Sequence, residues 1–203
     1  MRSRPVPDLQ NGWHGPIVTT EMIVTKRKAK SGSRVGSPCP IARSVDVAGQ
    51  WWSTLILRDA FYGISRFDEF EKSLGIAPTM LTRRLTELVE GGLLERRRYS
   101  TRPPRSEYAL TERGRDFWPV LVALMDWGNR HLAPEGESVV LVNRTTGRRV
   151  VPLLTEAGSG KPINSNDHIL GAGPKANEHI KRRTAFGAAR RSDPSLRPEF
   201  LFE

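Results

Sequence analysis

Thr79, Thr82, Arg83 and Thr86 lie in the stretch Pro78 to Glu90, off the line of Leu81, Leu85 and Leu88. Those leucines recur at i, i+4 and i+7, the spacing of a buried helical stripe. A helix of this kind packs on a small core and turns threonine hydroxyls and a guanidinium fork outward. Bidentate donors such as Arg suit the acceptor edges of bases in a DNA major groove. Arg84, next to Arg83, reads either as a phosphate contact or as half of a structural ion pair. Arg98, Arg102 and Arg105 follow in the next segment, where fixed positive charge suits phosphate. Arg102 sits in the loop of that segment, placed to reach a minor groove. From Pro78 to Ser106 there are seven Arg against three Glu.

The elements that must carry these residues are legible from period and punctuation. A first helix is expected from Ile41 to Ala48, stopped by Gly49. A second runs from Trp51 to Phe61, with Trp52, Leu55, Ile56 and Leu57 as its apolar face. A short third begins at Ser65 and places Phe67, Phe70 and Leu74 at helical spacing. Gly75 to Ala77 forms a turn, and Pro78 suits the first position of the fourth helix, where no amide donor is needed. Leu93 to Tyr99 and Arg105 to Leu110 read as a hairpin closed by Ser100 to Pro104. A basic hairpin directly after a Thr/Arg helix is a winged helix-turn-helix plan.

Thr111 caps a last helix that is expected to reach His131 and to kink at Pro119. Phe117, Trp118, Val120, Leu121, Val122, Leu124, Met125 and Trp127 cover more than one of its faces. Two readings stand: the surplus meets a second copy of the chain, or the C-terminal segment buries it within one subunit.

Composition bounds the rest. The 203 residues are 37% hydrophobic and 27% charged, ordinary for a globular protein. No apolar run approaches a membrane span, and no secretory signal is visible. The lone Cys39 excludes an internal disulfide framework and fits a reducing cytoplasm. The net charge of +10 is concentrated in the tails. Residues 1–37 carry seven Lys/Arg against two acids, and residues 134–203 eleven against eight. The expected organisation is a disordered basic arm over 1–37, a winged helix and dimerisation domain over 38–133, a small β-rich extension over 134–175 and a basic tail over 176–203. Val139 to Val142 and Val150 to Leu154 are the candidate strands of the extension. No repeat at a fixed period is visible. Residues 1–21 read as dispensable, with Met22 or a start near Val24 as an alternative beginning.

Other chemistry finds little purchase. Glu156 to Pro162 invites a phosphate-loop reading, but Thr155 and Pro162 occupy places that need Gly and Ser/Thr. His14, His131, His168 and His179 lack ligand spacing, so no metal is expected. Asn143-Arg144-Thr145 matches a glycosylation pattern without support for secretion. No nucleophile–base–acid set is recognisable. The expectation is therefore no catalytic residue, no cofactor and no enzyme.

The motifs match a known pattern. CPIARSVDVAGQWWSTLILRDAFYGISRFDEF (Cys39 to Phe70), GIAPTMLTRRLTELVEGGLLERRRY (Gly75 to Tyr99) and PPRSEYALTERG (Pro103 to Gly114) together resemble HxlR-type winged helix regulators. The resemblance implies a fold that is mainly α with a small β-hairpin wing. It also implies a homodimeric regulator, expected to be a repressor, on double-stranded DNA bearing an inverted-repeat operator. Ala77 departs from the pattern, since relatives carry a capping Ser or Thr there. Residues 142–176 look like a C-terminal extension of some such regulators. Part of that group carries Cys pairs there; this chain has none, so a structural zinc site does not carry over.

Cys39 has two readings. It precedes the first helix, whose N-terminus favours a thiolate, and Arg43 adds to this if it folds back. Several regulators resembling this one use such a cysteine to sense oxidants or electrophiles. The other reading is a small residue that fills space at the helix start. A small-molecule effector stays open and unnamed. Two other functional classes also stand: an adaptor that kept the fold but lost DNA binding, and an enzyme with its site in the C-terminal extension.

Overall fold

The computed structural model describes residues 37–101 and 104–198. The readings for residues 1–36, the alternative start and Arg102 lie outside these described residues.

Helices α1 (Pro40–Ala48), α2 (Trp51–Phe61), α3 (Phe67–Leu74) and α4 (Pro78–Glu90) precede a hairpin of β1 (Leu94–Thr101) and β2 (Pro104–Leu110). Helices α5 (Glu112–Arg115), α6 (Trp118–Leu132) and α7 (Glu178–Ser192) follow. The core is where α2, α3, α4 and the start of β1 meet. Ile56, Leu57, Phe70, Leu81, Leu85, Leu88 and Leu94 are each 0–1% exposed. Full burial of one such side chain contributes about 1.5–3 kcal/mol, so these few residues hold the domain. The α4 stripe is the one its spacing predicts.

The buried carboxylate of Asp59 is tied in. Asp59, in α2, accepts from the Ser73 hydroxyl of α3 at 2.7 Å and from the Arg58 guanidinium at 2.7 and 2.9 Å. Gly75 ends α3 at φ +60°, a left-handed conformation that only glycine adopts without strain, and its N–H closes on Glu71 O at 2.9 Å. This sets the bend between α3 and α4.

The hairpin is antiparallel, in register from Leu94 opposite Leu110 to Arg98 opposite Ser106. The register then slips, pairing Ser100 with Arg105 and leaving Tyr99 as a bulge. The chain before α3 adds a short edge to β2. Tyr108 N–H donates to Ser65 O at 2.7 Å, and Arg66 bridges to Glu107. At the other end Thr111 Oγ1 donates to Gly92 O at 2.7 Å and accepts from Gly114 N–H at 3.0 Å, locking the wing to the helix that follows.

The helix expected from 112 to 131 is two helices. Proline lacks the amide that would bond back into the preceding turn and its ring crowds that turn. The chain therefore restarts with Phe117 as N-cap and Pro119 in the first turn of α6, and the expected kink becomes a full break.

Past Gly114 no described residue is buried. Asn129 of α6 ties the extension down by donating to Val139 O at 2.8 Å, and Arg149 pairs with Glu137 at 2.6 Å. The β character of the extension is confined to isolated bridges, Val142 with Arg149 and Thr155 with Pro162. Val150 to Leu154 forms no strand. Each bridge closes the same turn. Val150 N–H bonds Leu141 O, Asn143 N–H bonds Arg148 O, and Gly147 N–H bonds Asn143 O. Thirteen residues on, Ile163 N–H bonds Leu154 O, Glu156 N–H bonds Lys161 O, and Gly160 N–H bonds Glu156 O. A side-chain oxygen of Asn143 or Glu156 accepts from the hydroxyl of Thr146 or Ser159 in the same place. The two turn glycines share φ of +65° and +67°. This repeat is faint as sequence identity: Leu141 and Gly147 recur as Leu154 and Gly160, while Asn143 and Glu156 share only a hydrogen-bonding role. A further element, α7, forms where a basic tail is expected. Asn177 caps it by accepting from Ile180 N–H at 3.0 Å.

Candidate nucleic-acid interface

Helix α4 presents two faces of different chemistry. Leu81, Leu85 and Leu88 are fully buried, and Thr79, Thr82, Arg83 and Thr86 are exposed. Thr82 Oγ1 donates to Pro78 O and Thr86 Oγ1 to Thr82 O, both at 2.8 Å. With the hydroxyl protons of Thr82 and Thr86 spent on the helix, their oxygens are left as acceptors on an exposed face. Such a surface accepts from exocyclic base amines and packs on thymine methyls. Arg83 supplies the donor of this face. Its side chain is 49% exposed and rests on Glu87, one turn on, at 3.2 Å. An exposed pair of that length stabilises the helix by about 0.3–0.5 kcal/mol, so the guanidinium is held in readiness and is free to exchange partners.

Arg84 is turned the other way. It is 8% exposed and its Nη1 meets Glu87 at 2.7 Å, while its Nε is buried with no hydrogen-bond partner. Of the two roles left open for Arg84, this geometry is that of an ion pair within the fold. Ala77 is the N-cap of α4 and makes no side-chain cap, as its methyl group requires.

The wing carries Arg96, Arg97 and Arg98 on β1 and Arg105 on β2, all exposed. Arg97 is paired with Glu95. Arg98 stands opposite Ser106, and Arg105 opposite Ser100 across the bulge. Arg66, at the N-cap of α3, lies over the Tyr99 ring at 5.0 Å. Sequence alone does not mark it, because it stands before a short helix, far from the basic stretch. The signal that could have found it is the edge pairing of Ser65 and Arg66 with β2, which sequence period does not reveal.

The corner at Arg66 is built by Glu69, whose carboxylate accepts the Arg66 and Ser65 amides at 3.0 and 3.2 Å. These two backbone hydrogen bonds hold its pKa below the ordinary carboxylate value. Cys39 is the half-buried N-cap residue of α1, and its N–H donates to Ser37 Oγ at 3.2 Å. Arg43 does fold back, but its Nε donates to Ser37 O at 2.5 Å. Among the described residues no group of three or more His, Cys, Asp or Glu could hold a metal ion, and no helix is long and apolar enough to cross a membrane.

Residues 47–136 match the model of the HxlR-like helix-turn-helix domain. The HTH-type transcriptional regulator Rv3095 of Mycobacterium tuberculosis, itself uncharacterized, is 40% identical over 135 residues, 66% of this chain and 85% of that protein. The chain belongs to the HxlR-like helix-turn-helix family.

YdeP of Bacillus subtilis, also an uncharacterized HTH-type transcriptional regulator, is 38% identical over 94 residues, 46% of this chain and 73% of that one. Two solved structures are similar in fold. PA1374 of Pseudomonas aeruginosa, a candidate transcription factor, is 53% identical, with a TM-score of 0.53 over 71% of this chain and 99% of its own. PA1607, likewise a candidate transcription factor, is 41% identical, with a TM-score of 0.63 over 71% of this chain and all of its own. That share exceeds residues 47–136, so the likeness runs beyond the winged helix. This HxlR-like chain is thus a transcriptional regulator of the winged helix class, mainly helical with a two-stranded wing.

Proposed function

We propose that the protein is a homodimeric repressor that sets α4 of each subunit into the major groove of an inverted-repeat operator. The observation that carries the reading is the division of α4 into a buried leucine stripe and an exposed Thr79, Thr82, Arg83 and Thr86 face, followed at once by a basic wing. Those four residues contact base edges. Arg98 and Arg105 hold flanking phosphate, with Arg102 in the minor groove. Half-sites of such a dimer lie about one helical turn apart, roughly 34–36 Å.

Dimerisation is supported by apolar surface that one subunit leaves uncovered. Ile41 and Val45 of α1 are 57% and 55% exposed, and Leu124 and Trp127 of α6 are 49% and 51% exposed. No residue of α6 is buried within its own chain. A helix this apolar is stable only when a partner covers it, and a second copy offers the same surface through a two-fold axis. The test is titration of the chain's own upstream region, with light scattering on the same sample. Twice the chain mass together with a sequence-specific shift supports the reading. A monomer, or equal affinity for every sequence, overturns it. The alternative of an adaptor without DNA binding fails if that shift is seen.

A further inference from the structure

The first turn of α3 and the root of the wing enclose an open cleft of about 350 Å³, lined by Arg66, Phe67, Asp68, Tyr99, Arg105 and Ser106. Three features of the fold converge on it. The Ser65–Arg66 edge pairing brings the N-cap of α3 against β2. The bulge takes Tyr99 out of the strand ladder, and its ring comes to lie against Arg66. Past the slip, Arg105 stands opposite Ser100, on the same short stretch of β2 as Ser106. Neither Arg66 nor Arg105 forms an ion pair with a carboxylate of the described residues. Asp68 is the one acid that lines the cleft, and the neighbouring Glu69 is committed to the backbone amides of the corner.

We infer that this cleft is a seat for one DNA backbone phosphate in each half-site, with Arg66 and Arg105 as its walls and the Tyr99 ring as its floor. The inference rests on the proposed DNA-binding reading and adds a contact outside α4 and the wing tip. The chemistry favours phosphate over other anions. Two guanidinium groups against the single carboxylate of Asp68 leave one net positive charge, which matches one phosphodiester. A guanidinium stacked on a ring loses less freedom when it binds, and its planar fork fits phosphate oxygens. The Ser106 hydroxyl adds a neutral donor to the same wall. The cleft is open to solvent, as a continuous DNA strand requires. Such a contact carries no sequence information and fixes how the protein is placed on the duplex.

The test is fluorescence anisotropy of the full chain on an operator fragment and on an unrelated fragment of equal length, over a range of salt. Each phosphate contact contributes about 0.9 to the slope of log K against log salt. Arg66→Gln removes one contact per subunit, so the slope should fall by roughly 2 and affinity at 0.15 M salt by about 30-fold, on both fragments. Arg66→Lys should keep the slope while binding several-fold more weakly, because charge remains and stacking does not. Asp68→Asn should tighten binding to both fragments.

Thermal melting of each variant checks the fold. If Arg66→Gln fails to fold, the Lys and Asp68→Asn variants decide alone. An unchanged slope in a folded Arg66→Gln protein overturns the seat and leaves operator binding standing. A loss confined to the operator also overturns it, since that would be base reading. Calorimetric titration of the DNA-free protein with inorganic phosphate separates the two sources of phosphate. Arg66-dependent uptake of the free ion, with an unchanged DNA slope, overturns the inference. Failure of the wild-type chain to bind either fragment removes the parent reading instead.

Discussion

Gly114 stands so close to Leu93 that a Cβ built on it would lie 2.0 Å from the Leu93 carbonyl oxygen. The same carbonyl accepts the Thr111 amide at 3.1 Å, so the entry to β1 and the turn leaving β2 are fixed to each other by backbone. Neither side of this contact has a flexible group to give way. Gly114→Ala should destabilise the domain by about 1–3 kcal/mol, the range for forced overpacking, and urea unfolding would show it as a lower midpoint at unchanged m. A midpoint equal to wild type would mean that the junction opens without cost.

Arg83 and Arg84 share Glu87 but face opposite ways. Arg83→Ala should leave the melting temperature nearly unchanged and relax preference at one base pair by about 1–3 kcal/mol. Arg84→Ala should do the reverse, costing about 1–3 kcal/mol of stability with sequence preference intact. Arg84→Met, which fills the same space without a buried charge, should recover much of that loss. Binding to a panel of single-base operator variants, alongside thermal melts, separates the two. Equal effects of the Arg83 and Arg84 substitutions on specificity would contradict the assignment.

Leu124 and Trp127 are about half exposed on a helix that buries nothing of its own. Leu124→Asp places a charge on the proposed two-fold surface while leaving the core of α2, α3 and α4 untouched. Light scattering should then give the single-chain mass, with far-ultraviolet circular dichroism close to wild type over the winged helix. Retention of the dimer would move the interface elsewhere.

His168 and Glu156 form a pH-sensitive latch at the second turn of the extension, with His168 Nε2 2.9 Å from Glu156. The hydrogen bond that His168 Nε2 donates to the Glu156 carboxylate raises the His168 pKa above its ordinary value of 6.5. Hydrogen bonds from Ser159 and then His168 lower that of Glu156 below 4.5. A raised histidine stabilises fully below its unfolded pKa and loses that contribution as pH rises through the folded value. A lowered carboxylate contributes above its unfolded pKa and loses that as pH falls through the folded value. The latch is therefore closed between the lowered Glu156 value and the raised His168 value. Titration of the His168 ring by NMR should show its midpoint falling toward 6.5 in Glu156→Gln. An unmoved midpoint would show that the pair is not formed in solution.

The winged helix was legible in the sequence because its determinants are local. The Leu81, Leu85 and Leu88 stripe, the Gly75 bend, Pro78 at a helix start and the alternation of the hairpin each act within a turn or two. Arg66 was hidden because its placement depends on β2, some forty residues later, and on a bulge that period counting cannot locate. Pro119 within a helical period implies a kink, yet its missing amide lies where one helix has ended and another starts. The extension was the least legible part. Its order comes from backbone and side-chain hydrogen bonds within turns, and these leave no hydrophobic period to read. Its apolar residues, such as Leu153, Leu154 and Leu170, are more than 60% exposed in the single chain, so no burial pattern marks them.

The doubled turn makes the connection between α6 and α7 a spacer of countable units. Leu141, Gly147 and Val150 have counterparts in Leu154, Gly160 and Ile163, and every backbone bond of the first turn has one in the second. Excising residues 143–155 would join Val142 to Glu156 and leave Leu141 facing Ile163 across one complete turn. Excising half that length would leave a carbonyl without its amide on both sides of the cut. Length changes in this region are thus quantised. Gains or losses of thirteen residues keep the backbone bonds of a complete turn, at the cost here of the Arg149–Glu137 pair, whereas intermediate lengths break the frame.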